Sequence, residues 1–290
     1  GLLFIGWTVS DMTGGINVVI DHARVNNKLD FWPKGDIYTW ITFFGVWITL
    51  MLGSIPQQDV FQRITSAKSA KIAFWGSVFG ASIYFVFTFV PMFIAYSATL
   101  IDPEHFQNIM AFDSQFVLPE FVIKYTHPFA QIVFFGAVTS AIMSCSSATL
   151  LAPSVTFAEN VIRPLRPNMS DKEFLKVMRI CLVVFSGCVL LYALSSNLTI
   201  FGMVESAYKI TLAGAFTPLV FGIFWKKANH HGALAAIIFG ISSWAGLEII
   251  YGDLLLIPAQ LIGLMISMLS MFIVSHLTQP LSLTLATKKT

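Results

Sequence analysis

The sequence predicts an all-α membrane protein, a helical bundle, and three observations carry that prediction. Of its 290 residues, 56% are hydrophobic and 11% charged, with a mean hydropathy of +0.75. An average soluble domain carries about 25% charged residues. Long uncharged runs recur along the chain, most of them near the ~20 residues that cross a bilayer as helix. Basic residues gather between alternate pairs of those runs, with 12 of 17 on one side. The excess of Lys and Arg in cytoplasmic loops assigns that side to the cytoplasm.

Taken in order, residues 1–9 form a partial span, and full spans are predicted at 37–58, 72–101, 128–158, 180–204, 210–225, 232–247 and 254–275. The chain opens on Gly1 inside an apolar stretch, without the charged start and cleavage site of a signal peptide, and reads as part of something longer. Arg63, Lys68 and Lys71 follow 37–58, and Arg163, Arg166, Lys172, Lys176 and Arg179 follow 128–158. Lys226 and Lys227 follow 210–225, and Lys288 and Lys289 follow the last span. The opposite side holds Asp21, Asp30, Asp36, Asp102, Glu104, Asp113, Glu120 and Asp253 with few bases. In the outer loop 101–127, Asp102-Pro103, Leu118-Pro119 and His127-Pro128 are turn and helix-start signals, and predict a short amphipathic segment over that face. In the inner loop, Ser170 and Glu173 form a capping box that starts the next helix. Without a domain-scale linker, residues 1–290 are expected to form a single transmembrane domain.

Composition and spacing exclude several functions. Cys145, Cys181 and Cys188 lie in apolar runs without metal or redox spacing, and Cys181 and Cys188 read as small core residues. There is no glycine-rich phosphate loop and no convergent nucleophile, so enzymatic activity and an organic cofactor are not expected. The basic residues are short flanks rather than a continuous patch, which argues against nucleic acid. Trp40, Trp47, Trp225 and Trp244 sit near span ends or lipid faces, as interfacial anchors do.

Two stretches interrupt the apolar runs. In the first, Gly53, Ser54, Ile55, Pro56, Gln57 and Gln58 fall in mid-span. Pro56 cannot donate to the carbonyl near Leu52, and Gly53 permits unusual backbone angles. Freed backbone groups survive in hydrocarbon only where protein or a water-filled cavity takes them up. The break is therefore a binding site for a solute or a proline kink in a packed helix, and Asp59 beyond it lines a pathway or sits at the interface. The second stretch, Thr139 to Ser147, is rich in small hydroxyl residues, with Ala141, Ser144, Cys145 and Ala148 on one face. Read alone, that face serves close helix packing.

Glu205 and Lys209 form an i, i+4 pair within a span. A helix starting near Leu198 would place Glu205 about 10 Å inside, and charges at such depth face a bundle interior or a watery cavity. They either neutralise each other or contact a solute. Tyr208 gates or packs, and Glu248 is expected at the interface.

Several stretches resemble the sodium:solute symporter family, with its inverted-repeat fold of leucine-transporter type. Gly53-Ser-Ile-Pro-Gln-Gln-Asp-Val-Phe-Gln-Arg63, followed by Ala67-Lys68-Ser69, is similar to that family's broken sixth core helix. Ala141-Ile-Met-Ser-Cys145 is similar to the sodium-site stretch of its eighth, and Ala215-Phe-Thr-Pro-Leu-Val-Phe-Gly-Ile-Phe-Trp-Lys-Lys227 with Gly232-Ala233 to the end of its tenth and start of its eleventh. The first segment is most like the choline-transporter branch, whose version reads Gly-Gly-Ile-Pro-Trp-Gln.

The resemblance implies a partial leucine-transporter-type fold, the second repeat with extra C-terminal helices, beginning near the end of the fifth core helix. It implies sodium-coupled symport of a small polar or cationic solute by alternating access, in the plasma (cell inner) membrane. Sodium would be the coupling ion, held by Ala141, Ser144 and Cys145; solute would meet Gly53, Ser54, Pro56, Gln57, Glu205 and Lys209. The expected partners are thus a solute, sodium and membrane lipid. Two departures stand out. The family usually has hydroxyl residues at the positions of both Ser144 and Cys145, and a thiol is a poor sodium ligand, which leaves room for proton coupling. Gln57 replaces the choline branch's Trp, so hydrogen bonds stand where cation–π attraction would be. The chain is expected not to transport by itself. The rival from another class is the membrane input module of a signalling protein.

Overall fold

A computed structural model describes residues 1–57, 60 and 64–279, with every side chain among them except that of Asp253. Gln58, Asp59, Arg63, Lys288 and Lys289 lie outside these described residues. The described residues form helices and turns, without a strand. They fall into two compact units, Gly1–Phe31 with Ile64–Ser196, and Trp32–Arg63 with Asn197–Thr290.

In the first unit, α1 (Leu2–Met12) and α2 (Ile16–Val25) meet at a 76° bend. Gly14 and Gly15 make that corner with φ of +81° and +118°, angles that an L side chain resists. Next come α4 (Ala70–Ile101), α5 (Pro103–Asp113), α6 (Val117–Tyr125), α7 (Pro128–Phe157) and α8 (Asp171–Ser195). The core joins Ile5 and Val9 of α1, Ile94 and Ala98 of α4, Phe106 of α5, Phe121 and Val122 of α6, and Ala130 and Phe134 of α7. The amphipathic segment expected over 101–127 is thus a helix pair, α5 and α6, folded onto the end of α4.

The start signals perform as their chemistry requires. Asp102 caps α5 through His105 N. Its Oδ2 accepts from Lys124 Nζ at 2.9 Å and Tyr125 Oη at 2.7 Å, tying α6 back to the corner. His127 caps α7, and Ser170 with Glu173 forms the expected capping box on α8. One expectation fails: Thr139 to Ser147 is no interruption, because α7 runs unbroken from Pro128 to Phe157. Side-chain hydroxyls there fold back on the ladder, Ser147 to Met143 O and Thr149 to Cys145 O, which leaves α-helical geometry intact. A wide π turn follows at Ala158–Ile162. Cys181 is buried as expected, whereas Cys188 lies exposed on α8.

The second unit contains α3 (Ile37–Gly53), α9 (Ile200–Thr211), α10 (Thr217–Phe224), α11 (His230–Tyr251) and α12 (Ala259–Leu277). A π turn, Leu212–Phe216, joins α9 to α10; Pro218 lacks the N–H that an α-helical turn would need there. Its Leu212 and Phe216 pack with Leu264 of α12 as the core, flanked by Ile48 and Leu52 of α3. Thr49 and Gln260, both buried, are bonded at 3.3 Å between α3 and α12. Asn229 caps α11 through Gly232 N and donates to Ser275 O, closing the α11–α12 hairpin.

One sequence boundary moves and one anchor is reassigned. The span expected at 180–204 ends at Ser195, and Thr199 caps a new helix by accepting from Gly202 N. The cap decides the boundary, since apolar residues continue across it. Trp244 is no lipid anchor: its Nε1 is buried without a partner, and Gly263 of α12 lies against its Cβ.

Among the described residues six helices are long and apolar enough to cross a membrane, and the α1–α2 pair would make seven. The chain is an integral, multi-pass membrane protein. The 17-residue α3 falls short of that length because the chain turns at Ser54.

The Lys124 and Tyr125 donors hold the Asp102 carboxyl at about 2, below the usual 3.8, and raise Lys124 in turn. A carboxyl depressed on folding lends stability above its unfolded pKa and loses it as pH falls through the folded value. Asp102→Asn is therefore expected to speed hydrogen exchange across α5 and α6 at pH 7. The difference from the parent should shrink as pH falls from about 4 to 2.

Candidate functional site

The break after α3 is built around the missing N–H of Pro56. Without it, Leu52 O accepts from Ile55 N at 3.2 Å, a tighter turn. Gln57 N also bonds one residue short, to Ser54 O at 3.2 Å, so it no longer reaches Gly53 O. That carbonyl is not left free. Thr211 Oγ1, at the last residue of α9, donates to Gly53 O at 2.6 Å. The two helices are unusually close here, for a Cβ added at Gly53 would lie 2.5 Å from Tyr208 O. Gly53 keeps ordinary helical angles, so its service is space, a correction to the conformational role expected of it. Ser54 also turns inward on its own chain, donating to Met51 O at 2.9 Å. Pro56 and Gln57 are half-buried beside this turn. Tyr208 packs against the break through its backbone and Cβ.

The charged pair of α9 is a trio. Lys209 Nζ lies 3.8 Å from Glu205 Oε1 and 3.1 Å from Glu248 Oε1 on α11. Only the second is a hydrogen bond. Glu205 and Lys209 side chains are 20% and 18% exposed, and Glu248 is 38% exposed, so the inter-helix partner is the wetter one. Counting from Ile200, Glu205 sits about 7.5 Å along α9, shallower than expected, since the cap at Thr199 starts the helix later. Glu248 is not a bare interfacial charge as expected, but the partner of Lys209. Thr211 lies two residues beyond Lys209, so the charged trio and the held break share the last turns of α9.

Ala141, Ser144 and Cys145 stand exposed on α7. Among the described residues the hydroxyls of Ser140, Ser144 and Ser146 have no hydrogen bond, unlike those of Ser147 and Thr149. The Ala141 carbonyl belongs to an unbroken helix, so what it offers a ligand is its second lone pair. No group of three or more His, Cys, Asp or Glu side chains that could hold a metal occurs among the described residues; a sodium site on α7 would rest on hydroxyl and carbonyl oxygens.

Three features escaped the sequence. Thr211 gives no signal by itself, because its partner is 158 residues away. Glu248 is missed for the same reason, 39 residues from Lys209. A cleft of about 1080 Å³ opens beside the α1–α2 corner, walled by Trp7, Asp11, Gly15, Lys28, Phe93 and Tyr96. It lies between the α1–α2 corner and α4, and the Gly14-Gly15 pair that makes the corner was its visible trace.

Comparison with known proteins places these helices. The model of the sodium:solute symporter family matches residues 2–240. The mouse high affinity choline transporter 1 is 33% identical over 218 residues, 71% of this chain and 36% of that protein. The sodium/pantothenate symporter of Escherichia coli is 26% identical over 250 residues, 82% of this chain and 49% of that one. The chain thus spans about a third of the length of the choline transporters it matches. A solved sodium-coupled sialic acid symporter, 19% identical, superimposes with a TM-score of 0.71 over 96% of this chain and 60% of its own. That likeness bears on fold, and agrees with the partial leucine-transporter type. With the family's model matching most of its length, the chain belongs to the sodium:solute symporter family.

Proposed function

We propose that the whole protein is a secondary active transporter of the plasma membrane, not an enzyme, and couples sodium entry to a small polar or cationic solute by alternating access. The observation that carries this reading is the α3 break held by Thr211 of α9, with the Glu205–Lys209–Glu248 trio set between the last turns of α9 and α11. Irregular backbone within a membrane persists where it lines a cavity or is buried in protein, and ionisable groups at such depth mark solute or ion pathways. In this reading the solute meets Gly53, Ser54, Pro56 and Gln57 from α3 and Glu205 and Lys209 from α9. Relatives named for choline and pantothenate support an organic solute. The Gln57 amide, in place of a Trp face, favours one that hydrogen-bonds.

Sodium is assigned to α7, with the Ser144 hydroxyl and Ala141 carbonyl as oxygen donors and Cys145 as a weaker neighbour. The likeness of Ala141-Ile-Met-Ser-Cys145 to the family's sodium-site stretch supports that choice. Symporters of this architecture build each site from two repeats. This chain then supplies its share of a single transmembrane domain, and other helices supply the remainder.

The test is uptake of a labelled metabolite panel, including choline, proline and pantothenate, by the whole protein in proteoliposomes. At least one solute is expected to accumulate with external sodium and about tenfold less with potassium. No sodium-dependent accumulation of any of them, or chemical conversion of the solute, would overturn the reading. Ser144→Ala should raise the sodium concentration for half-maximal uptake about tenfold at equal protein amount; an unchanged sodium dependence removes α7 from the ion site. Thr211→Val strips the partner from the Gly53 carbonyl, a loss of about 1–3 kcal/mol. It should lower the melting temperature in detergent and raise KM together.

A further inference from the structure

The Glu205–Lys209–Glu248 trio has an asymmetry with consequences for selectivity. One ammonium faces two carboxylates, leaving the trio one negative charge in surplus. Lys209 has taken sides: 3.1 Å and hydrogen-bonded to Glu248, against 3.8 Å to Glu205. The choice runs against simple proximity in sequence, since Glu205 lies one turn away on the same helix and Glu248 on another. Glu205 is 20% exposed and accepts no hydrogen bond among the described residues. A carboxylate so placed is ion-paired but has unspent acceptor capacity.

We infer that Glu248 is a positioning residue: by drawing the Lys209 ammonium into a hydrogen bond on α11 it leaves Glu205 in the looser, 3.8 Å ion pair, so that Glu205 can receive the positive group of the solute. This rests on the reading that Glu205 meets solute. Glu248 touches the solute only through Lys209. Were Glu248 neutral, Lys209 would fall back on Glu205 by a small rotation of its side chain and compete with any incoming cation. Attraction between unit charges scales inversely with distance and dielectric, so a move of Lys209 from 3.8 Å to hydrogen-bond distance matters most where the surroundings are least wet. The arrangement thus sets solute affinity from a helix that need not contact the solute.

The experiment uses the whole transporter in proteoliposomes, with labelled choline and proline as probes, each carrying a positive nitrogen. Glu248→Gln is expected to raise KM about tenfold with Vmax within about twofold. Glu248→Asp keeps the carboxylate and should behave like the parent. A parent-like KM in Glu248→Gln, a KM raised as much in Glu248→Asp as in Glu248→Gln, or a defect only in Vmax and protein amount would overturn the assignment, the last pointing to a structural tie. Glu205→Gln separates the two layers. Unchanged KM there overturns the solute contact and this inference together, whereas raised KM there with unchanged KM in Glu248→Gln overturns the positioning role only.

Discussion

The hydrogen bond from Thr211 to the Gly53 carbonyl is the constraint around which the second unit is organised. A proline within an apolar helix removes one donor and displaces another. Ile55 and Gln57 each bond a residue short, which repairs Leu52 and shifts the deficit to Gly53. An orphaned carbonyl in such surroundings costs about 1–3 kcal/mol, and Thr211 removes that deficit at 2.6 Å. The contact needs a glycine on α3, because Tyr208 O occupies the space of any Cβ. Proline, glycine and threonine form one device, two parts on α3 and one on α9.

The π turn that follows Thr211 extends the same logic. Leu212–Phe216 bulges where Pro218 cannot donate, and its Leu212 and Phe216 fill the core against α12. A π turn inserts an extra residue and often marks a functional place. Here it directly follows the residue that holds the break, so α9 ends in a fixed geometry with Lys209 two residues earlier. The charges and the break are thereby placed by the same packing.

The first unit manages its polar groups differently. Asp102 gathers a backbone amide, an ammonium and a phenol, and so pins α5 and α6 over the end of α4. On α7 the economy is local: Ser147 and Thr149 bond carbonyls of their own helix, and Ser144 does not. The helix stays continuous, and the hydroxyls of Ser140, Ser144 and Ser146 are left without a hydrogen bond among the described residues.

Much of the fold was legible from residues 1–290 alone because the signals are local. Hydropathy marks the spans, Asp102-Pro103, His127-Pro128 and Ser170 with Glu173 mark helix starts, and Pro56 marks the interruption. Span ends without a strong breaker were misplaced, as at Ser195, where apolar residues continue past the cap at Thr199. The partners of the freed groups needed the tertiary structure. That Gly53 gives room rather than angles depends on Tyr208, 155 residues on, and that Lys209 gives its hydrogen bond to Glu248 and not to Glu205 depends on the place of α11. Covalent order determines which backbone groups a proline sets free; only the packing of distant helices decides who satisfies them, because in an apolar medium the nearest polar atom in space settles the matter.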